Sequence, residues 1–214
     1  MELDLQLEYW NQVGPTKPFA HPVNVRQLGL WLNPESRILD YGCGYGRALG
    51  VLKSKGFENL VGFDPAPAMI RSARGRYPSI RFEVLEDFRS IPLADASVDA
   101  VMLFAVLTCV PGNRAQRDII DEITRVLRPA GFLYVSDMWL QTDERNLERY
   151  DRDGKKYGVY GVFDLPEGVT VRHHDPLWIE SLLHQYELLA LDEVEVHTMN
   201  GHATAAFQWF GRKA

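Results

Sequence analysis

The chain has 214 residues, 46% of them apolar, which suits one α/β domain spanning 1–214 with room for a modest insertion. Lys plus Arg number 23 and Asp plus Glu 29, a net charge of −6, and this mildly acidic balance argues against a broad basic face gripping nucleic acid. The two cysteines, Cys43 and Cys109, lie in different motifs without metal-ligand spacing, so neither a disulfide framework nor a metal site is expected, and a reducing, cytoplasmic setting fits.

The segment Leu3–Val13 is weakly amphipathic and carries Tyr9 and Trp10; Gly14-Pro15 and Lys17-Pro18 break it, and residues 1–22 read as an N-terminal lid. Glu2 and Asp4 begin it without a basic apolar run, so no signal peptide is expected. A short helix is predicted over Val23–Leu32, stopped by Asn33-Pro34. Then come a strand over Arg37–Tyr41, a helix over Gly46–Lys55, a strand over Leu60–Asp64, a helix over Ala66–Tyr77 stopped by Pro78, and strands over Ile80–Leu85 and Ala100–Ala105. The longest apolar run, Ala100–Val110, falls short of the ~20 residues that span a bilayer, so no membrane segment is expected.

The clearest helix covers Arg114–Leu127, where Ile119, Ile120, Ile123, Val126 and Leu127 share one face. Asn113 with Gln116 reads as a capping pair, and Arg117–Asp121 and Asp121–Arg125 as i,i+4 ion pairs on the wet side. A fifth strand follows over Phe132–Asp137. Residues 139–172 are charged, tyrosine-rich and glycine-punctuated, and read as a long inserted segment on the substrate side. Asp175-Pro176 supplies an N-cap and a proline at the first helical position, and Leu188–Val196 and Ala203–Phe210 close the chain as an antiparallel pair. The alternation predicts an α/β fold: a Rossmann-like, seven-stranded, mostly parallel sheet with helices on both faces and an antiparallel last strand.

The stretch Ile38-Leu39-Asp40-Tyr41-Gly42-Cys43-Gly44-Tyr45-Gly46-Arg47 concentrates the chemistry. An apolar strand ends in an acid, turns through glycines at every second position and enters a helix, an arrangement that binds an adenosine-bearing cofactor at the carboxyl end of a parallel sheet. A dinucleotide fingerprint reads Gly-x-Gly-x-x-Gly; here Arg47 occupies the third glycine's place and the glycine arrives one residue early, at Gly46. Asp40 before the turn repels a pyrophosphate and attracts a cation.

Asp-x-Gly-x-Gly-x-Gly resembles motif I of the class I S-adenosylmethionine-dependent methyltransferases, whose cofactor carries an ammonium and a sulfonium and no phosphate. The resemblance continues through Val61-Gly62-Phe63-Asp64-Pro65, Leu85-Glu86-Asp87-Phe88, Ile91-Pro92-Leu93, Ala96-Ser97-Val98-Asp99 and Arg125-Val126-Leu127-Arg128-Pro129-Ala130-Gly131, covering roughly residues 37–137. It implies S-adenosyl-L-methionine as cofactor. Asp40 with Gly42 and Gly44 is then expected to hold the ammonium, Asp64 to accept from the ribose hydroxyls, and Gly46 and Pro65 to join them in binding the cofactor. Asp87 and the Phe88 amide are expected at the adenine, Phe104 and Ala105 beside the methionine portion, and Tyr41 and Tyr45 at the cofactor's edge.

Methyl transfer to an alcohol, phenol or ammonium needs a base, and His173 and His174 in the His-His-Asp cluster are the candidates. Tyr9, Trp10, Trp139, Tyr157 and Tyr160 are the candidate walls of an acceptor pocket. Thr108-Cys109-Val110-Pro111 after the fourth strand differs from the Asn/Asp-Pro-Pro-Tyr/Phe pattern of planar-amine methylation. The expected activity is transfer of a methyl group to an oxygen or nitrogen of a small-molecule acceptor, by a monomer or homodimer. The competing readings are a cofactor-binding protein without transferase activity, a tRNA- or RNA-modifying enzyme, and a nicotinamide oxidoreductase, the last opposed by the glycine spacing and Asp40.

Overall fold

The structure is a computed structural model and describes residues 6–214; Leu3, where the first amphipathic segment was expected to begin, and the nearby Glu2 and Asp4 lie outside it. Two short helices open the described chain, α1 (Leu7–Gln12) and α2 (Val25–Leu28), separated by a 3₁₀ turn at Gly14–Thr16. α2 is much shorter than the predicted Val23–Leu32 helix, because Asn24 caps it by accepting the Gln27 amide at 3.0 Å and Gly29 ends it one turn later.

The alternating core follows: β1 (Ile38–Tyr41), α3 (Arg47–Ser54), β2 (Leu60–Asp64), α4 (Pro67–Arg76), β3 (Arg81–Val84), β4 (Val98–Phe104), α5 (Asn113–Val126) and β5 (Leu127–Met138). A second 3₁₀ turn, Leu107–Cys109, follows β4. Beyond β5 come α6 (Glu144–Tyr157), the small hairpin β6 (Val162–Asp164) and β7 (Thr170–Arg172), then α7 (Pro176–Leu182), β8 (Tyr186–His197) and β9 (Ala203–Lys213).

Seven strands form one sheet in the order β3-β2-β1-β4-β5-β9-β8. The pairs from β3 through β5 are parallel, and β9 runs antiparallel to both β5 and β8. The predicted closing pair is therefore present, with β9 as the antiparallel strand. The chain leaves β1 toward β2 on one side and returns to β4 on the other, so the connections diverge at the carboxyl ends of β1 and β4 and leave a crevice there.

The two-residue period of the strands sorts the core into two layers. Leu39, Tyr41, Val101 and Leu103 pack on one face against Ile119, Ile120 and Ile123 of α5 and Ile179 and Leu182 of α7. Ile38, Ala100 and Met102 pack on the other against Leu49 and Leu52 of α3, Ile70 of α4 and Leu28 of α2. Asp40 shares the face of Ile38, and is carried at the crevice end of the strand. Among the described residues, no helix is long and apolar enough to cross a membrane.

Some local expectations fail for tertiary reasons. Gln116 does not cap α5; it is fully buried and its Nε2 donates to the Leu107 and Val110 carbonyls at 2.9 and 2.8 Å, while Asn113 accepts from Arg172. Neither predicted i,i+4 pair of α5 forms, because Arg125 reaches Glu122 and Asp95 at 2.7 and 2.6 Å and Arg117 lies over the Trp178 ring. Residues 139–172 hold a regular helix and hairpin. α6 starts at Asp143, which accepts the Asn146 amide at 3.2 Å, and ends at Gly158, whose φ is 67°. The buried face of α6 is Asn146, Tyr150 and Asp153, with no aliphatic residue to betray its period. Tyr150 packs with Tyr9, Phe163, Val169 and Val171 in a separate cluster that joins the N-terminal helix to this inserted segment.

Candidate active site

The crevice at the ends of β1 and β4 opens into a cleft of about 970 Å³, counting its mouth. Its floor is the turn after β1. The Gly42 and Cys43 amides both donate to the Phe63 carbonyl, at 2.8 and 3.0 Å, folding the turn back over β2. Gly44 adopts φ +53°, and a Cβ there would meet nothing closer than Met69 and Phe19 at 3.9 Å, so it would stand in open space at the cleft wall. Gly46 caps α3 at φ +82°, and a Cβ there would come within 2.6 Å of the Phe82 ring. Gly42 and Gly44 are walls of the cleft; Gly46 lies behind them and serves packing.

Three acids were expected here, and the structure separates them. The Asp40 carboxylate is buried and, among the described residues, no group donates a hydrogen bond to it. Burial pushes its pKa up to about 7, with Arg47 pulling down and Asp64 pushing up. Asp64 is also buried and raised to about 6, while the amides it accepts, Ala66 at 2.8 Å and Gly44 at 2.9 Å, draw it back down. Asp87 faces solvent and accepts the Arg89 amide at 2.9 Å in a local turn; it is not on the cleft wall. Its neighbour Phe88 is, and the Phe88 carbonyl accepts the Tyr41 hydroxyl at 2.5 Å. Pro65, Phe104, Ala105, Tyr41 and Tyr45 complete the expected set on the wall. Cys43 and Cys109 also line it, and burial raises both thiols well above the usual range, so neither is a ready thiolate.

Phe19, Arg47 and Met69 also line the cleft, none of them expected there, and so does His21, for which the sequence offers either a structural role or a substrate-side contact. Arg47, at the first position of α3, donates to the main-chain carbonyl of His21 and so holds the N-terminal segment across the cleft. His21 is buried, its Nδ1 lies 2.9 Å from Ser136 Oγ, and its Nε2 has no partner. Burial, aided by Arg47, lowers its pKa to about 4, so the imidazole is neutral at ordinary pH. Neither contact has a local sequence signal, since each partner is distant along the chain.

A second cavity of about 690 Å³ adjoins the first. Trp10, Phe19, His21, Ala105 and Cys109 line both. His173 is a wall of the second cavity; it is buried, its Nδ1 lies 2.5 Å from the Tyr150 hydroxyl, and burial lowers its pKa to about 3. His174 is on neither wall. Its ring is fully buried between the Gln116 amide nitrogen at 3.1 Å and the Met138 carbonyl at 3.3 Å, and burial holds it neutral. Of the aromatic candidates, Trp10 alone lines a cavity. Tyr9 packs edge-on behind it, Trp139 stacks on Phe207 at 4.1 Å, Tyr157 donates to Asp164, and Tyr160 is exposed beside Tyr150.

Comparison with known proteins agrees with this geometry. The Methyltransferase domain family matches residues 39–135, the stretch that builds the cleft floor and the central strands. The chain is 30% identical over 148 residues to a 24-methylenesterol C-methyltransferase 2 of Oryza sativa subsp. japonica, a match covering 67% of this chain and 39% of that protein. It is 30% identical over 149 residues to the EEF1A lysine methyltransferase 4 of Mus musculus, covering 59% of this chain and 58% of that one. The chain thus spans less than two thirds of the length of either curated relative. A crystal structure of a SAM-dependent methyltransferase from Methanosarcina mazei superposes with a TM-score of 0.83 at 26% identity, covering 90% of this chain and 98% of that one. Fold, motif order and relatives converge: the chain belongs to the class I S-adenosylmethionine-dependent methyltransferases.

Proposed function

We propose that the chain transfers the methyl group of S-adenosylmethionine to an oxygen or nitrogen of a small-molecule acceptor seated in the second cavity. The observation that carries this reading is the shared partition of Trp10, Phe19, His21, Ala105 and Cys109, across which a donor and an acceptor meet.

The residues present fit the donor. Asp40 offers a buried carboxylate that no described residue hydrogen-bonds and that Arg47 only partly offsets, suited to the ammonium of the methionine end. Asp64 keeps lone pairs beyond those given to Gly44 and Ala66, suited to paired ribose hydroxyls. Phe104 and Ala105 would flank the methionine portion and Pro65 and Phe88 the nucleoside, since all four line the cleft together with Gly42 and Gly44. When bound, the cofactor supplies a methyl group already activated on a sulfonium.

The protein's part is alignment and exclusion of water. With Nδ1–H donated to Ser136 Oγ, the free Nε2 of His21 accepts the acceptor's O–H or N–H. His21 Nε2 would take that proton as the acceptor's oxygen or nitrogen is methylated, and would release it to solvent when product leaves the cavity. His173, fixed by Tyr150, orients the acceptor from the far wall.

Calorimetry is expected to show S-adenosylhomocysteine binding, and tritiated S-adenosylmethionine with a metabolite extract is expected to yield a labelled product that passes an ultrafiltration membrane. Binding without labelled product would overturn the transferase reading. Label retained on protein or RNA would overturn the small-molecule acceptor.

A further inference from the structure

The two adjoining cavities carry opposite charge. The first has Asp40 and Asp64 against Arg47 on its walls. The second has Arg145 and Arg149 and no aspartate or glutamate on its wall, and the His21 and His173 imidazoles beside them are neutral.

Arg149 is the best-built of these groups. Its guanidinium carbon lies 3.6 Å over the Phe163 ring, and Nη2 donates to Asn146 Oδ1. Asn146 is itself buried and bonded to the Asp143 cap of α6, so the fork is held from two sides. Nε is buried without any partner, and among the described residues no carboxylate forms an ion pair with Arg149. The nearby Asp143 carboxylate approaches Arg145 instead, at 3.8 Å. Burial lowers the Arg149 pKa and the like charge of Arg145 adds to this, while Tyr150 and the Asp143 carboxylate offset only part of it. A stacked, positioned guanidinium with spare N–H groups matches the planar, two-oxygen geometry of an oxyanion. Trp10, Phe19, Met138, Leu165 and Val171 supply the rest of the wall and suit an apolar body.

We propose that the methyl acceptor is a small oxyanion, a carboxylate or phosphate on an apolar or aromatic body, anchored by Arg149 and Arg145 in the second cavity. The inference rests on the transferase reading above and adds the substrate's charge. The anion sits at α6 as an anchor, and the reacting oxygen or nitrogen lies at the partition beside His21 and Ala105.

The test uses the full chain with tritiated S-adenosylmethionine and a metabolite extract divided beforehand, by ion exchange at neutral pH, into anionic, neutral and cationic pools. Label arising in the anionic pool supports the proposal, and prior treatment of that pool with phosphatase abolishes the label for a phosphate and spares it for a carboxylate. Label confined to the neutral or cationic pools overturns it. No label in any pool, with S-adenosylhomocysteine still bound, overturns the transferase reading and this inference with it. Against the labelled acceptor, Arg149→Met is expected to raise KM by about tenfold or more with little change in kcat, and Arg149→Lys to recover part of the loss. Cofactor affinity should not change in either variant. Arg145→Ala, on an exposed side chain, gives the same KM signature if Arg149→Met fails to fold. An unchanged KM in folded Arg149→Met overturns the anchor.

Discussion

The Gly44 amide donates to Asp64 Oδ2 at 2.9 Å, tying the acid that ends β2 to the tip of the turn that follows β1. The same carboxylate accepts the Ala66 amide through Oδ1 at 2.8 Å, so one side chain sets the turn and the start of α4 together. Asp64→Ala removes both acceptors and the carboxylate proposed for the ribose. Affinity for S-adenosylhomocysteine is expected to fall tenfold or more, about 1.4 kcal/mol or above, by calorimetry. Asp64→Asn keeps an oxygen for one amide and is expected to lose less.

Asp40 makes cofactor affinity depend on pH. Its free-state pKa is raised to about 7, and the ammonium of the ligand's amino-acid end needs the ionised form. Lowering the pH through 7 therefore protonates Asp40 and weakens binding, whereas raising it strengthens binding until the carboxylate is fully ionised. Between pH 8 and pH 6 the dissociation constant of S-adenosylhomocysteine is expected to rise about tenfold. Asp40→Asn should bind more weakly throughout and show a flatter profile over that range. A wild-type affinity that is flat with pH would remove the assigned role.

The alternate glycines of the turn serve different ends, and alanine separates them. Gly46→Ala puts a Cβ 2.6 Å from the Phe82 ring at a φ of +82°, so the strain of about 1–2 kcal/mol for a left-handed residue adds to a clash. Its melting temperature should fall clearly. Gly44→Ala meets nothing closer than 3.9 Å and bears only the left-handed strain, but its methyl intrudes on the cleft. It should lose less stability than Gly46→Ala and more cofactor affinity.

The histidines divide in the same way. His174 sits between Gln116 and Met138, and Gln116 Oε1 in turn accepts the Trp178 indole at 2.6 Å. His174→Ala empties a fully buried ring site while Gln116 and the Met138 carbonyl keep their other partners, and this cavity is expected to cost about 2 kcal/mol or more of stability, read by denaturant melts, with cofactor affinity retained by the folded fraction. His21→Ala should keep both the fold and cofactor binding, and lose about a hundredfold in methyl transfer.

Much of the fold was legible without coordinates because it rests on local, periodic signals. The bounds of β2 were read to the residue, and the apolar face of α5 and the Asp175-Pro176 start of α7 appear as read. The helix α6 was missed because its inward face is built of Asn146, Tyr150 and Asp153, which a hydrophobic period cannot register. Motif order placed Asp40, Gly42, Gly44, Asp64 and Phe88 at one cleft, whereas Asp87 stands off its wall with its carboxylate turned to the Arg89 amide.

The primary structure alone determined the doubly wound sheet, the glycine turn and the kind of cofactor, since strand period, turn chemistry and the acid before the turn all act between near neighbours. Tertiary structure alone decided which histidine meets the partition and where Arg145 and Arg149 gather. His21 reaches the cleft through Arg47 and Ser136, and Arg149 reaches the second cavity through Asn146 and Phe163. Except for Arg149 with Asn146, these partners are brought together only when the chain closes on itself, and burial then strips away the water that would otherwise have satisfied their polar groups.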